Sequence, residues 1–356
     1  MAVASLFACS TRGDTRTSPR PVRAVEAVET ERKQRVERPA PGAPRVSVVV
    51  PVYNGARTVA ETLDSVFSQT FDDYEVIVVD DASKDHSLEI LERYGSQIRL
   101  VSLTENHGQS AARNLGASLA KGTCLAFLDQ DDVWYPRKLE HQVAMLDQHP
   151  EVSLVYSDLD EVDGNGHYKT LTVHRSYAMG HPRSSFVTLI VQDSFILPST
   201  VVCRKYWFEK VGGFDERLIG YEDDDLWIRM WPLCRFAYLP EALVKWRVHR
   251  ASASESPLME RSRKIFYEKL MTTFASDPFM QAVVERRFYN VYGSRGTQLL
   301  RRGEKTRART HYWMALRSRP YATLMLCRWG LTFFPYPLVR MIDAAWQRIK
   351  SLTPLS

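Results

Sequence analysis

From residue 46 the hydrophobic positions fall into alternating strand and helix patterns. Val46-Ser47-Val48-Val49-Val50 is a short β-branched run of the kind that forms a strand buried on both faces, and Pro51 stops it. Apolar residues then recur on one helical face at Val59, Leu63, Val66 and Phe67, which predicts a helix over 58–69. The same alternation predicts strands over 74–79, 98–103 and 124–128, with helices over 84–94 and 109–120 between them. Strands and helices joined in turn by short loops predict an α/β fold, built of right-handed βαβ units on a parallel sheet. Ligands of such sheets bind beyond the carboxyl ends of the strands. The segments that follow the four strands are Pro51-Val52-Tyr53-Asn54, Asp80-Asp81, Asn106-His107-Gly108 and Asp129-Gln130-Asp131-Asp132. They are expected to converge on one crevice.

Past residue 150 the alternation weakens. Residues 152–156 read as a strand, and Asp163-Gly164-Asn165-Gly166 reads as a tight turn, so 154–173 is expected to form a hairpin. Further strands are predicted at 199–203 and within 236–248, and a helix starts at Glu222. Residues 258–319 read as basic helices, and 320–350 are apolar but broken by Arg328, Pro335, Pro337 and Arg340. Residues 1–45 are rich in Arg, Glu, Pro and Thr without apolar periodicity, the composition of a disordered tail and linker. This divides the chain into 1–45, a domain over 46–257, and a helical extension over 258–356.

Charge sharpens that division. The net charge of +5 is the sum of +4 over 1–45, −11 over 46–257 and +12 over 258–356. The acidic middle suits cations and repels nucleic-acid phosphates, while the basic end suits an anionic surface. Apolar residues at 44% and charged residues at 25% exclude wholesale disorder, and no apolar run reaches the ~18 residues of a spanning helix. The five cysteines are scattered and never form CxxC, which argues against a zinc knuckle or disulfide scaffold and fits a reducing compartment.

Several chemistries lack their motif: there is no GxGxxG after the first strand, no GxxxxGK[ST], no GxSxG and no HExxH. Carboxylates stand out instead. Asp129 and Asp131 are two apart at a strand end, so in extended chain both point the same way and can share a hard divalent cation. An acidic turn capping the next helix accounts for the pair equally well. Four consecutive acids, Glu222-Asp223-Asp224-Asp225, open a helix. They either complement the helix dipole or, through mutual repulsion, raise the pKa of one of them toward that of a general base. Arg113 either meets a phosphate or sits on a solvated helix face. A lone His249 is more often structural than a ligand.

Taken in order, six segments resemble glycosyltransferase family 2, the inverting, non-processive type with a GT-A fold. They are Val48–Asn54, Val79–Asp85, Asn106–Asn114, Phe127–Asp132 with its DxD, Gly212–Glu216 followed by Gly220–Leu226, and Arg247–Ser252. The resemblance implies a GT-A (Rossmann-like), mostly parallel sheet flanked by helices. It implies that Pro51 and Tyr53 border a nucleotide base that Asp81 also meets, and that Asp129 contacts ribose or metal. Asp131 would ligate Mg²⁺ or Mn²⁺, with Asp132 as the competing ligand and His249 completing the metal or diphosphate site. Asp223 would be the catalytic base, with Glu222 beside it. The implied reaction transfers a sugar from a UDP-, GDP- or dTDP-sugar to a hydroxyl acceptor, glycan or lipid-linked, in cell-surface polysaccharide or glycoconjugate synthesis. The rival readings are a sugar nucleotidyltransferase and a non-catalytic nucleotide-binding scaffold of the same fold. The expected location is cytoplasmic, with peripheral contact to the inner face of the membrane through 320–350, where aromatics and arginines mix. A helical cap on the catalytic domain is the alternative for that segment.

Overall fold

The computed structural model describes residues 40–181, 185–191, 195–248, 257–318, 323–337 and 339–342. The strands are β1 (Val46–Val52), β2 (Tyr74–Asp80), β3 (Arg99–Ser102), β4 (Cys124–Phe127), β5 (Val133–Trp134), β6 (Val152–Asp163), β7 (Tyr168–Thr170), β8 (Val201–Arg204) and β9 (Arg235–Val248). The helices are α1 (Val59–Phe67), α2 (Ser87–Glu92), α3 (Gln109–Leu119), α4 (Lys138–Gln148), α5 (Val173–Ser176), α6 (Phe186–Val191), α7 (Lys205–Lys210), α8 (Glu222–Met230), α9 (Pro257–Thr273), α10 (Pro278–Arg301), α11 (Lys305–Ser318) and α12 (Thr323–Leu331). The chain divides into two compact units, one of residues 1–189 and 193–266, the other of 190–192 and 267–356.

The first unit is built on one sheet in the order β3-β2-β1-β4-β8-β6-β9-β5, with β7 on the side of β6. Its first four strands are parallel: Val48 lies opposite Val76 of β2 and Ala126 of β4. Every residue of β1 is buried, as its valine-rich run requires, and the strand continues through Pro51 to Val52 where the sequence predicts a stop at Pro51. Strand β8 then pairs antiparallel with β4, and β6 pairs parallel with β9. The mixed half gives the sheet two features that the alternation of the first half did not forecast. Strand β9 runs unbroken for 14 residues. The two-residue β5, just after the acidic loop, pairs with it, Val133 opposite Lys245.

Helix α3 lies directly on the sheet. A side chain at Gly116 would bring its Cβ within 2.4 Å of the Val49 methyl, so the contact needs a glycine. That closeness fixes the height of α3 above the strand ends, and with it the polar residues of its first turns. The hairpin of β6 and β7 turns at Asp163, whose Oδ1 accepts hydrogen bonds from the amides of Asn165 (2.8 Å) and His167 (3.0 Å).

In the second unit, α10 begins with Asp277, whose Oδ1 caps the Met280 amide at 3.0 Å, followed by Pro278 in the first turn. Buried Val284, Phe288 and Leu299 of α10 and Ala308, Tyr312 and Ala315 of α11 make its core. No helix among the described residues is long and apolar enough to cross a membrane. Cys124, Cys203, Cys234 and Cys327 are all free thiols.

Candidate active site

The loop after β1 leaves Tyr53 exposed by 44% while Pro51 stays buried inside the strand. Of these two, Tyr53 is the residue whose side chain is exposed. The loop is tied down from three sides. The Asn54 amide donates to Ser83 Oγ at 2.9 Å, and Asn54 Oδ1 accepts from the Lys84 amide at 2.7 Å. Asn54 itself adopts a positive φ of 52°, which Asn tolerates better than most residues. The third tie is Gln130. Its Oε1 accepts from the Tyr53 amide at 2.8 Å, and its Nε2 donates to the Tyr53 carbonyl at 3.0 Å.

Asp81 follows β2 and is buried. Its two carboxylate oxygens accept from the backbone amides of His107 (2.8 Å) and Gly108 (2.7 Å). The carboxylate therefore orders the loop ahead of α3. Each oxygen keeps a further lone pair for a donor outside the chain.

Arg113 on α3 is the centre of the crevice. It is 1% exposed. Its Nη2 donates to Asp129 Oδ1 at 2.5 Å and its Nη1 to Glu222 Oε1 at 3.0 Å. Gln109, one helical turn earlier, adds a second donor to the same Glu222 oxygen at 2.5 Å. The reading of Arg113 as part of a solvated helix face is corrected: it is buried and joins two acids 93 residues apart in sequence. Burial alone would disfavour its charge, but Asp129 and Glu222 more than offset this and raise its pKa. The signal in the sequence was the i, i+4 spacing of Gln109 and Arg113 on a helix otherwise faced with Ala112, Gly116 and Ala117.

Helix α3 also holds the segment that leads to α8. Asn114 Nδ2 donates to the Phe214 carbonyl and its Oδ1 accepts from the Phe214 amide, both at 2.9 Å. Gly213 has a φ of +67° here, and a Cβ on it would sit 2.6 Å from Asn114 Oδ1, so the glycine serves both backbone and contact. Ser110 Oγ donates to the Leu218 carbonyl at 3.0 Å.

The acidic loop sorts its three aspartates. Asp129 keeps 30% of its side chain exposed, and Asp131 is half-buried. Asp132 is buried, and its Oδ1 accepts from the Arg247 backbone amide at 3.0 Å. Burial, then the charges of Asp131 and Asp129, push the Asp132 carboxyl well above the usual range. Arg247 also donates through Nε to the Asp131 carbonyl at 2.9 Å and through Nη2 to Glu61 at 2.7 Å. Asp132 is thus engaged in holding the loop to β9. Asp129 and Asp131 are the more accessible two and carry the oxygens a hard cation would take, although Asp129 is also paired with Arg113. Among the described residues no group of three or more His, Cys, Asp or Glu could hold an ion, so this pair suits a cation only jointly with outside oxygen donors. His249 lies outside the described residues.

At the start of α8, Tyr221 takes a positive φ of 66° immediately before Glu222 and Asp223, of which Glu222 is buried. Asp223 Oδ1 accepts from the Asp224 amide at 2.7 Å. Burial, with the charges of Asp224 and Glu222, raises the Asp223 carboxyl well above the ordinary range, although that amide and Arg113 act against it. Asp225 is occupied elsewhere, accepting from Arg229 Nε at 2.9 Å. Glu222 Oε2 is buried with no hydrogen-bond partner. The site therefore combines an exposed aromatic, two acids with some access to solvent, and a carboxyl of raised pKa, with Arg113 tying Asp129 to Glu222.

Acids gathered past the carboxyl ends of parallel strands lie where an open α/β sheet binds its ligands. Residues 47–212 match Glycosyl transferase family 2. An uncharacterized glycosyltransferase of Rickettsia prowazekii, RP339, is 32% identical over 233 residues, 65% of this chain and 72% of its own. The amylovoran biosynthesis glycosyltransferase AmsB of Erwinia amylovora is 32% identical over 192 residues, 51% of this chain and 62% of its own. Crystal structures of S. aureus TarS residues 1–349 share the fold at 20% identity. The complex with UDP superposes with a TM-score of 0.59 over 81% of this chain and 90% of that one, and another holds UDP-GlcNAc. The chain belongs to glycosyl transferase family 2, has a GT-A-like fold and is a glycosyltransferase.

Proposed function

We propose that the protein is a metal-dependent, inverting transferase that moves a sugar from a nucleotide-sugar to an acceptor hydroxyl on a glycan or lipid-linked glycan. The observation that carries this reading is the buried Arg113, which locks Asp129 of the acidic loop to Glu222, the neighbour of Asp223. One guanidinium thereby ties the proposed donor-side acid to the residue next to the proposed base.

Tyr53 offers its ring to the base, and Asp81 accepts from a ring N–H while its other bonds hold the His107–Gly108 loop. Asp129 and Asp131 would hold Mg²⁺ or Mn²⁺ together with the donor diphosphate and water. Once bound, the cation offsets the charge that grows on the leaving nucleoside diphosphate. Asp223 takes the acceptor proton, and the freed oxygen attacks the anomeric carbon opposite the leaving group, which inverts its configuration. Its raised pKa suits this step, since a stronger base removes a hydroxyl proton more readily. Glu222 Oε2, buried and without a partner, is placed to accept a hydrogen bond from an acceptor or sugar hydroxyl.

The UDP and UDP-GlcNAc complexes of TarS support a UDP-sugar as donor, and the name of AmsB supports polysaccharide synthesis as the setting. The test is release of nucleoside diphosphate from UDP-, GDP- and dTDP-sugars with Mn²⁺, Mg²⁺ or EDTA, for the wild type and Asp131→Ala. Slow hydrolysis of one donor that EDTA and Asp131→Ala both abolish is the expected result. Hydrolysis indifferent to both removes the metal from the scheme. Absence of nucleotide binding in any condition removes the donor site.

A further inference from the structure

Between Glu304 and Asp343 the chain carries seven Lys or Arg residues and no carboxylate. Within the second unit most of this stretch is α11, α12 and the turn after α12. Two adjacent residues of that turn, Phe333 and Phe334, are 55% and 50% exposed, and Trp313, Leu326 and Met341 are exposed as well.

The turn is held firmly. Thr332 is fully buried. Arg309 donates through Nε to Thr332 Oγ1 at 3.1 Å and through Nη2 to the Thr332 carbonyl at 3.2 Å. Its guanidinium lies 3.8 Å from the centre of the Phe333 ring. Lys305 Nζ donates to the Phe334 carbonyl at 3.1 Å. On the other side, Trp329 packs edge-on against Phe333 with ring centres 5.1 Å apart. Two phenyl rings are therefore kept in the open by a backbone that two cations grip.

Apolar groups fixed in this way call for something to cover them. The cations beside them select what that is. A second copy would bring the same cations to the same patch, placing like charges together. A bilayer with anionic headgroups supplies negative charge at its surface and apolar material a few ångströms below, and this pairing of an apolar wedge with basic side chains is what interfacial anchoring requires.

We propose that Phe333 and Phe334, flanked by Lys305 and Arg309, form a wedge that seats in the headgroup region of an anionic bilayer. The contact is interfacial, since no described helix can span. It holds independently of the donor and metal assignments above.

The test is co-sedimentation of the full chain with vesicles of phosphatidylcholine alone or mixed with phosphatidylglycerol. The wild type is expected to pellet with the mixed vesicles, to be released by high salt as screening shortens the electrostatic reach, and to ignore phosphatidylcholine alone. Phe333→Ser/Phe334→Ser should weaken binding at least about tenfold through lost apolar insertion. Lys305→Gln should weaken it about fivefold, the loss of one basic contact with an anionic surface. Both variants should melt and hydrolyse donor as the wild type does. Wild type that stays in the supernatant, or a double variant that pellets equally well, overturns the proposal. So does a wild-type dimer in solution that the double variant converts to monomer, which would assign the wedge to a second copy.

Discussion

Arg113 and Arg309 belong to the two units of this chain and show two opposite uses of the same side chain. Arg113 is buried between Asp129 and Glu222, and its value is geometric: it holds two acids at a set separation. Arg309 lies over an exposed ring in a stretch without acids, and its value is the charge it shows to the outside. The first arginine is turned inward and paired with acids, whereas the second borders the surface beside an exposed ring. Paired and buried charge makes a site rigid, because breaking either partner strands the other in a poorly solvating interior. An exposed apolar side chain costs the fold little to change, and its effect is felt by whatever docks there.

Substitutions can break this contrast. The largest effect is expected for Asp223→Asn, which should lower kcat by about 10²–10⁴-fold, the usual worth of a positioned base, with the donor Kd unchanged. Equal losses in both would contradict the assignment. The same residue sets a pH limb. The base acts only when deprotonated, so kcat/KM should rise with pH through a pKa above the ordinary carboxylate range, and a profile already flat at that range would oppose it.

Next in size, Arg113→Leu should cost about 3–5 kcal/mol of stability in urea unfolding, because Glu222 is left buried and unpaired. Adding Glu222→Leu should recover part of that loss, and a fully additive double variant would show that the pair is not coupled. Asn114→Ala should cost about 1–3 kcal/mol through two backbone groups of Phe214 left without partners. The smallest effect is Phe333→Ser, expected within about 0.5 kcal/mol by thermal unfolding, as befits an exposed ring. A large loss there would mean that the second unit needs the ring for its own core.

The parallel half of the sheet was legible because its inner strands are rich in valine and isoleucine and its helices have one-sided periodicity, as in β1 and α1. The mixed half was less so. Strand β5 has only two residues and follows the acidic loop directly, too short for any period to show. The site acids were legible as strand-end and helix-start carboxylates, but their partition was not. Asp131 and Asp132 are adjacent and identical in type, and only the Arg247 amide, 115 positions on, separates the structural acid from the accessible one. Gln130 looked like the spacer of DxD because its two partners are backbone groups of Tyr53, which leave no trace in side-chain pattern. Arg113 was visible but misjudged, since a one-dimensional pattern does not say that both its neighbours in space are carboxylates.

That Gln130 clasp has a thermodynamic consequence. It joins the loop bearing Tyr53 to the loop bearing Asp129 and Asp131, with no room to slip, since a Cβ at Gly55 would sit 2.4 Å from its Oε1. Any molecule that settles one loop in place also settles the other, so part of the ordering cost of a second guest has been met before it arrives. Linkage requires the favour to be mutual: whatever tightening an occupant at Tyr53 gives to one at Asp131, it receives back by the same factor.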